Sequence, residues 1–175
     1  MSRPDRDERV DPAAFKTAFR DHPAGVAVLT ADAGQGPVGL TATSVFSASV
    51  DPPVLAFSVS DMSSSTPTIA AADTLVVHLL AAGDVDLAVL CSTSGIDRFA
   101  DRRLWDRLPT GEPFFPSASR WLRVRPLTRM TVGTATIISA LALEAGGSEG
   151  VSQGEPLVYH DRRWHRLGET SRLQH

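Results

Sequence analysis

The chain has 175 residues, of which 42% are hydrophobic and 21% are charged, and its formal net charge is -3. This length suits one domain with its own hydrophobic core, and the ordinary composition excludes a generally disordered chain. Because there is no large basic field to hold a nucleic-acid backbone, we expect no nucleic-acid partner.

The chain contains a single cysteine, Cys91. This excludes an intrachain disulfide framework and a cysteine-rich zinc cluster, and it fits a reducing cytoplasm. Cys91 itself is interpreted as a small buried apolar residue. No apolar stretch follows the N-terminal charges, and no run approaches the roughly 20 apolar residues that span a bilayer. We therefore expect a soluble cytoplasmic protein without a membrane partner.

The first ordered element is predicted to be a short helix. Residues 1–10 are charged and lack periodicity, which is typical of a flexible arm. Asp11 can cap a helix, and Pro12 suits the first helical position. Phe15 and Phe19 then fall on one face at helical spacing, so we expect this face to pack on a larger element.

That larger element is predicted to be a β-sheet. Three segments rich in valine, threonine and phenylalanine follow, punctuated by glycine and proline: GVAVLTA, VGLTATSVFSASV and PVLAFSVS. The turn AGQGP joins the first two as a hairpin. Residues 51–53 interrupt the ladder before the third segment, because proline cannot donate a backbone hydrogen bond.

Helical and irregular segments occupy the middle of the chain. Residues 63–67, SSSTP, form a helix start signal. TLVVHLL is interpreted as a buried strand and Asp84 as the cap of the helix that follows it. For residues 95–116 we expect a long surface excursion with one or two helical turns.

The last third of the chain returns to strands, namely WLRVRPL, TRMTVGTATIISALALEA and a hairpin, PLVYHDRRWHRL, around Asp161. Between them, GGSEGVSQG has the composition of a mobile loop. We expect one domain over residues 11–168 and a flexible tail over residues 169–175. Many strands with few helices predict a mainly β protein, an antiparallel barrel that has closed its edges.

The stretch Gly39–Ser44, GLTATS, is the first candidate binding site. A strand with Thr41, Thr43 and Ser44 offers hydroxyls on both faces, and the glycine ahead of them lets a flat ligand approach the backbone. The alternative is an ordinary threonine-rich edge strand.

The second candidate is the predicted helix start at residues 60–67, SDMSSSTP. Free backbone N–H groups and the helix dipole favour an anion there, and Ser65 and Thr66 can add hydroxyl donors to a phosphate. Arg98, next to Phe99, can make a charge-assisted contact to the same phosphate. The alternatives are simple helix capping for the serines and a solvated surface position for the arginine.

Metal-binding and common catalytic motifs are missing. None of the five histidines shows a metal-ligand spacing, so we expect no metal. There is no nucleophile elbow, P-loop or GxGxxG fingerprint to support a hydrolase, a kinase or a Rossmann enzyme. His78 alternates within a strand and is interpreted as structural, whereas His160 and His165 flank the final hairpin and can approach a pocket.

Taken in this order, the segments resemble the flavin reductase-like family of FMN-binding split barrels. The landmarks run from Asp11 to Leu167 and cover nearly all of the chain; they are Phe15 with Arg20, PAGVAVLTA, GLTATSVFSASVDPP, the SSST cluster, VVHLL, Asp97–Phe99 with Trp105, and PLVYHDRRWHRL. GLTATS with the serine-rich strand and DPP is the specific part.

The resemblance implies an antiparallel split β-barrel of Greek-key type that binds FMN at the interface of a homodimer. The flavin ring would lie on the GLTATS strand, and its phosphate near the serine cluster and Arg98. The implied cofactor-binding residues are Gly39, Thr41, Ala42, Thr43, Ser44, Ser58, Ser60, Ser65, Thr66, Arg98 and Phe99. The resemblance also implies that NADH or NADPH reduces FMN, with FAD as a further substrate, and that reduced flavin serves a partner monooxygenase.

One departure concerns the nicotinamide. Reductases of this family carry a GDH motif whose histidine lies near the nicotinamide site, but the aligned residues here are Gly133, Thr134 and Ala135. Thr134 keeps a hydroxyl, and His160 can reach the pocket from the last hairpin, so these two are the catalytic candidates. The alternatives are a flavin-binding protein that does not use nicotinamide and a split barrel without flavin.

Overall fold

The computed structural model describes residues 9–147 and 154–173. Its helices are α1 (Pro12–Arg20), α2 (Thr66–Ala71) and α3 (Val85–Ser92), with 3₁₀ turns at Ala82–Asp84 and Glu169–Ser171. Its strands are β1 (Ala24–Gly25), β2 (Ala27–Ala31), β3 (Val38–Ala42), β4 (Phe46–Ser49), β5 (Val54–Ser60), β6 (Leu75–Leu79), β7 (Asp106–Arg107), β8 (Pro113–Phe114), β9 (Arg120–Val132), β10 (Ala135–Gly146), β11 (Leu157–His160) and β12 (Arg163–Arg166). Within the described ranges, no helix has the length and apolar character needed to cross a membrane.

Seven strands form one antiparallel sheet in the order β3-β2-β6-β9-β10-β5-β4. The outermost strands, β3 and β4, are separated along the chain only by residues 43–45. Such a short connection spans at most about 14 Å, so the sheet must curl until its two edges lie side by side. The predicted mainly β, antiparallel split barrel is confirmed.

The interior of the barrel is filled by apolar side chains from all of its central strands. Strand β2 contributes Ala27, Leu29 and Ala31, and Phe57, Val77 and Ile138 come from three other strands. Strand β2 is buried along its whole length. Because neither face of this strand meets solvent, its side chains need not alternate between apolar and polar, which explains the continuous apolar run GVAVLTA.

A second apolar layer covers the outer face of β2 and β6. It combines Val26 and Val28 with Ala88 and Cys91 of α3, and with residues of the loop and strands that follow. The small sheet β1-β11-β12 joins it through Leu157. Helix α3 is thereby held against the barrel, with its C-terminal end next to β3.

The helix starts match the sequence to different extents. Helix α1 is capped as predicted, because the Asp11 carboxylate accepts the N–H groups of Ala13 at 3.1 Å and Ala14 at 3.2 Å. Helix α2 begins at Thr66, although the Ser65 side chain does not cap it. Asp84 stands at the start of α3, but its carboxylate accepts the N–H of Ala81 at 2.8 Å and leaves the helix uncapped.

The expected packing of the α1 phenylalanine face is wrong. Phe15 and Phe19 are 53% and 61% exposed and contact each other, with their ring centroids 4.7 Å apart. A backbone hydrogen bond joins the C-terminal end of the helix to the β11–β12 hairpin, because the Asp161 N–H donates to the Arg20 carbonyl at 3.1 Å. The rest of α1 therefore extends past the hairpin without burying a side chain.

Two long predicted strands are each divided. TRMTVGTATIISALALEA contains a hairpin, since β9 ends at Val132, Gly133 and Thr134 form the turn, and β10 begins at Ala135. Gly133 adopts a φ of +59°, which suits a two-residue hairpin turn. VGLTATSVFSASV is likewise broken at residues 43–45. The final hairpin around Asp161 is confirmed.

The excursion over residues 95–116 differs from its prediction. It contains a two-stranded ribbon, β7–β8, and no helical turn. Phe99 and Trp105 are each only 6% exposed, and the Trp105 Nε1–H donates to the Phe99 carbonyl at 2.9 Å. The segment is therefore part of the outer apolar layer. Most of the predicted arm and most of the loop GGSEGVSQG lie outside the described residues.

His78 links the barrel to this outer layer, and its structural role is confirmed. It is fully buried, its Nδ1 lies 3.0 Å from the Val28 carbonyl, and its Nε2 accepts the Phe115 N–H at 3.0 Å. These bonds place the proton on Nδ1 and leave the ring neutral. Burial, which outweighs the opposing hydrogen bond to Val28, lowers the pKa of His78 from 6.5 to about 4.

We predict that His78 makes the fold acid-sensitive. In the unfolded chain the imidazole takes up a proton below its pKa of 6.5, whereas the folded protein resists it down to about pH 4. Its stabilisation is therefore complete above pH 6.5 and is lost as the pH falls from 6.5 towards 4, by about 2 kcal/mol between pH 6.5 and 5. Denaturant unfolding at several pH values should show a shallower decline for His78→Gln than for the unchanged protein.

The matched control is His165→Gln, an exposed histidine, which should retain the steep decline. An equal pH dependence in the unchanged protein and in His78→Gln would contradict this role. NMR of the unchanged protein gives a second measurement, because the His78 ring should not titrate above pH 5.

Candidate functional site

A cleft of about 710 Å³ opens where three segments of the chain meet. The first wall is the end of β3 with the residues after it (40–44). The second wall is the end of β5 with the following turn (58–60 and 62–64). The third wall is the end of α3 with the loop to Arg98 (91, 92, 94, 95 and 98). Ala135 completes it from β10. This volume is within the range of small-molecule and cofactor sites.

The cleft brings together residues that are far apart in the sequence. Seven of the predicted binding residues line it, namely Thr41, Ala42, Thr43, Ser44, Ser58, Ser60 and Arg98. The GLTATS strand and the serine-rich turn thus face one space, as the sequence analysis expected of a single ligand.

Ser44 shapes the floor of this cleft. Because β3 stops at Ala42 and β4 starts at Phe46, the backbone between them has no strand partner. The Ser44 hydroxyl accepts the Ser58 N–H at 3.0 Å and donates to the Ser58 carbonyl at 2.9 Å. These two bonds fasten the split in the barrel and leave the neighbouring Thr43 exposed at the cleft.

Arg98 is the one charged side chain among the described residues that line the cleft. Its guanidinium is half-buried and held by the Thr93 carbonyl at 2.8 Å and the Ser65 hydroxyl at 3.3 Å. The buried Nε has no hydrogen-bond partner within the described structure. A positive group that is fixed in place and incompletely paired, in an otherwise neutral cleft, favours an anionic ligand.

Ser65 and Thr66 lie beneath the cleft rather than in its lining. Both are buried, at 2% and 5% exposed. The Ser65 hydroxyl donates to the Gly39 carbonyl at 3.0 Å, and the Thr66 hydroxyl donates to the Ser60 carbonyl at 2.6 Å. Their hydroxyls position the turn and Arg98, while the turn itself presents residues 62–64 to the cleft.

Gly39 and Phe99 also stand behind the lining. A Cβ added at Gly39 would meet Cys91 Sγ at 3.4 Å and the Phe99 ring at 3.5 Å, which are ordinary van der Waals distances, so Gly39 faces α3 and the aromatic layer. The Thr41 hydroxyl donates to the Ala88 carbonyl at 2.7 Å. Burial raises the pKa of Cys91 to about 12, against the opposing charge of Arg98, so the thiol remains protonated.

The two catalytic candidates are placed differently. Thr134 lies in the β9–β10 turn, where its carbonyl accepts the Asp61 N–H at 2.9 Å, and only the neighbouring Ala135 lines the cleft. His160 lines a second pocket together with Thr43, and Thr43 also lines the cleft. His160 is therefore the candidate that adjoins the cleft.

Several lining residues escaped the sequence analysis. Ser92, Ser94 and Gly95 reach the cleft from the end of α3 and the loop after it. The run STSG at residues 92–95, shortly before Arg98, is a signal that could have found these three, because serine and glycine between a helix end and an arginine suit an anion. Within the described residues, no group of three or more histidine, cysteine or acidic side chains is arranged to hold a metal ion.

Comparison with known proteins identifies the family. The family described as "Flavin reductase like domain" matches residues 19–168. The chain belongs to the flavin reductase-like family. This confirms the resemblance drawn from the sequence motifs.

Individual members of the family extend the likeness. The chain is 40% identical over 153 residues to an NADH:FMN oxidoreductase of Rhodococcus qingshengii, covering 87% of this chain and 80% of that protein. A flavin reductase domain protein from Arthrobacter superposes with a TM-score of 0.85 at 30% identity, covering 94% and 99% of the two chains. BorF, the flavin reductase component of a bacterial two-component tryptophan halogenase, superposes with a TM-score of 0.78 at 25% identity, covering 91% and 99%.

Proposed function

We propose that this flavin reductase-like protein is an NADH-dependent flavin reductase that binds FMN in the cleft between β3, β5 and α3. The observation that carries the proposal is the cleft itself, in which a neutral, hydroxyl-lined wall leads to one fixed arginine. The 40% identical relative named NADH:FMN oxidoreductase supports the same flavin and the same reductant.

FMN has two parts that match the two parts of the cleft. Its phosphate fits the end where Arg98 stands beside the serine- and glycine-rich loop of residues 92–95. Its flat ring fits the opposite wall, where Thr43 and the backbone around Ser44 are accessible and Ala135 adds only a small side chain. FAD shares the same ring and first phosphate and is a further candidate substrate.

Few catalytic side chains are needed for this reaction. Bound FMN supplies the redox chemistry, taking a hydride from NADH and one proton so that NAD⁺ and reduced flavin are formed. The protein contributes position: the Ser44–Ser58 bonds hold the cleft wall, and Arg98 neutralises phosphate charge.

The replaced GDH motif keeps a second candidate function open. Gly133 and Thr134 occupy a hairpin turn, and among the three replacing residues only Ala135 lines the cleft. Among the described residues that line the cleft there is neither the carboxylate nor the imidazole of the GDH motif. The alternative is a flavin-binding protein that does not use nicotinamide. We favour the reductase because His160 adjoins the cleft through Thr43 and can act near the nicotinamide.

The reduced flavin can serve a partner monooxygenase. A structural neighbour, BorF, is the reductase component of a two-component halogenase, which shows this arrangement in a related protein. The 710 Å³ cleft is open to solvent along its rim, which lets a flavin leave as product. A reducing cytoplasm is the compartment that suits this chemistry and a single buried cysteine.

A homodimer is part of the proposal because the edge strand β4 is exposed and carries a phenylalanine beside an apolar groove. Phe46 is 59% exposed, and next to it lies an apolar groove of about 220 Å³ that includes Leu79, Leu122 and Ala142. An uncovered edge strand with an exposed phenylalanine and an apolar groove beside it is unusual in an isolated protein. A second copy seated on β4 would lie beside the cleft, because residues 43–45 connect β4 to it.

The activity test is steady-state oxidation of NADH and NADPH with FMN, FAD or riboflavin. We expect NADH oxidation that depends on added flavin and is fastest with FMN. Tight FMN binding with no oxidation of either nicotinamide would contradict the reductase and support the alternative function.

The position of the phosphate is tested by Arg98→Gln. We expect FMN to bind about tenfold to a hundredfold more weakly, because one charge-assisted phosphate contact is lost, while riboflavin, which has no phosphate, binds as before. Quenching of flavin fluorescence measures both affinities. The matched control is Arg103→Gln, whose side chain is 89% exposed and should leave both affinities unchanged. Equal weakening of FMN and riboflavin would show that Arg98 only maintains the fold.

The dimer is tested by sedimentation velocity. The unchanged protein should sediment as a dimer at micromolar concentration, and Phe46→Glu should shift it to monomer because the charge cannot be buried. Leu104→Glu, at a position that is 45% exposed on the excursion, should remain dimeric. A monomeric unchanged protein would exclude the homodimer, and a dimeric Phe46→Glu would exclude this face.

A further inference from the structure

The hairpin of β9 and β10 extends past its neighbour β6. Strand β6 pairs with β9 only over Arg120–Val124, whereas β10 pairs with β9 as far as Val132. Within the described structure, the rest of β9 therefore has no strand on the side where β6 ends. Helix α2 lies beside this part of β9, because Arg129 reaches its last residues.

Arg129 holds the C-terminal end of α2. Its Nε donates to the Ala70 carbonyl at 2.6 Å, and its Nη2 donates to the Ala72 carbonyl at 2.9 Å. The last carbonyls of a helix have no partner within the helix, so a guanidinium there satisfies acceptors that the helix leaves open. Because Arg129 is exposed, its replacement removes these two directed bonds without opening a cavity in the core.

The other end of α2 holds Arg98. Ser65 directly precedes the helix, and its hydroxyl accepts the Arg98 Nη1 at 3.3 Å while it donates to the Gly39 carbonyl at 3.0 Å. The Ile69 N–H donates to the Ser65 carbonyl at 3.1 Å, which joins Ser65 to the helix backbone. The helix has six residues and, at a rise of about 1.5 Å each, is only ~9 Å long. A displacement of its C-terminal end therefore shifts Ser65 as well.

The tip of the hairpin holds the same segment from its beginning. The Asp61 N–H donates to the Thr134 carbonyl at 2.9 Å. Asp61 directly precedes residues 62–64, which line the cleft, and Ser65 follows them. The β9–β10 hairpin is thus attached to both ends of the segment 61–72, which carries one wall of the cleft and the serine that holds Arg98.

Apolar packing alone does not fix the orientation of α2. Ile69 and Ala72 belong to the barrel core and are 0% and 2% exposed, so they anchor the helix to the interior. Apolar contacts are non-directional, however, and the rotation of a short helix about such an anchor depends on directed bonds. The bonds of Arg129 supply this direction at the end of the helix that is opposite Ser65.

We propose that Arg129 is a positioning residue for flavin binding, acting through α2 and Ser65 on Arg98. The inference rests on the proposed function, in which the flavin phosphate lies at Arg98. Arg129 is not part of the cleft lining. It holds α2, α2 holds the Ser65 hydroxyl, and the hydroxyl holds the Arg98 guanidinium before the phosphate arrives. Ordering a mobile arginine at the moment of binding would cost part of the binding free energy.

The experiment is a double-mutant cycle of Arg129→Gln and Arg98→Gln, in which quenching of flavin fluorescence measures the affinities for FMN and riboflavin. We expect Arg129→Gln alone to raise the FMN Kd about fivefold and to leave the riboflavin Kd unchanged, because riboflavin has no phosphate. In the Arg98→Gln background, Arg129→Gln should change neither Kd, because the group that it positions is gone.

Two further measurements accompany the cycle. In steady-state oxidation of NADH, Arg129→Gln should raise KM for FMN by the same factor and retain kcat. The matched control is Arg125→Gln, which removes one positive charge from an exposed position of the same strand and should alter neither Kd.

The outcomes separate this role from its alternatives. Equal weakening of FMN and riboflavin would show that Arg129 only maintains the fold, and no weakening of either would show that it does not act on the cleft; both results overturn the inference and leave the reductase intact. An equal loss of FMN affinity from Arg129→Gln with and without Arg98 would overturn the route through Arg98. If the unchanged protein binds FMN no more tightly than riboflavin, the proposed phosphate position fails, and this inference fails with it.

Discussion

The short connection between β3 and β4 is the constraint on which the rest of the structure depends. Residues 43–45 join the two outermost strands of a seven-stranded sheet, which forces the sheet to close on itself. Because β3 and β4 do not pair with each other, the closed sheet is split between them. The Ser44 hydroxyl bridges this split through two hydrogen bonds to the Ser58 backbone. The same feature therefore closes the barrel and exposes the polar backbone and the Thr43 side chain at the cleft.

The outer layer sets the electrostatics of the cleft. Helix α3 packs through Ala88 and Cys91 against β2 and β3, and the loop after it carries Arg98 to the cleft. The Ser65 hydroxyl, which bonds both the Gly39 carbonyl and Arg98, ties this cation to the barrel wall. One fixed charge in a neutral cleft distinguishes the phosphate end of a flavin nucleotide from its ring.

Sequence reasoning reached the fold and most of the cleft because the relevant signals are local. Segments rich in valine, threonine and phenylalanine between glycines and prolines predicted the strands, and the threonine and serine runs predicted two of the cleft walls. The misses arose where partners are distant in sequence. The exposure of Phe15 and Phe19, the burial of Trp105 and the internal use of the Ser65 and Thr66 hydroxyls all depend on which surface folds against which. The turn at Gly133 was not predicted, because residues typical of strands flank it on both sides.

The most direct test of the central claim is a crystal structure of the protein with FMN. We expect the phosphate within hydrogen-bond distance of the Arg98 guanidinium and the flavin ring against Thr43. A phosphate bound away from Arg98, or a flavin bound outside the cleft, would contradict the proposed site.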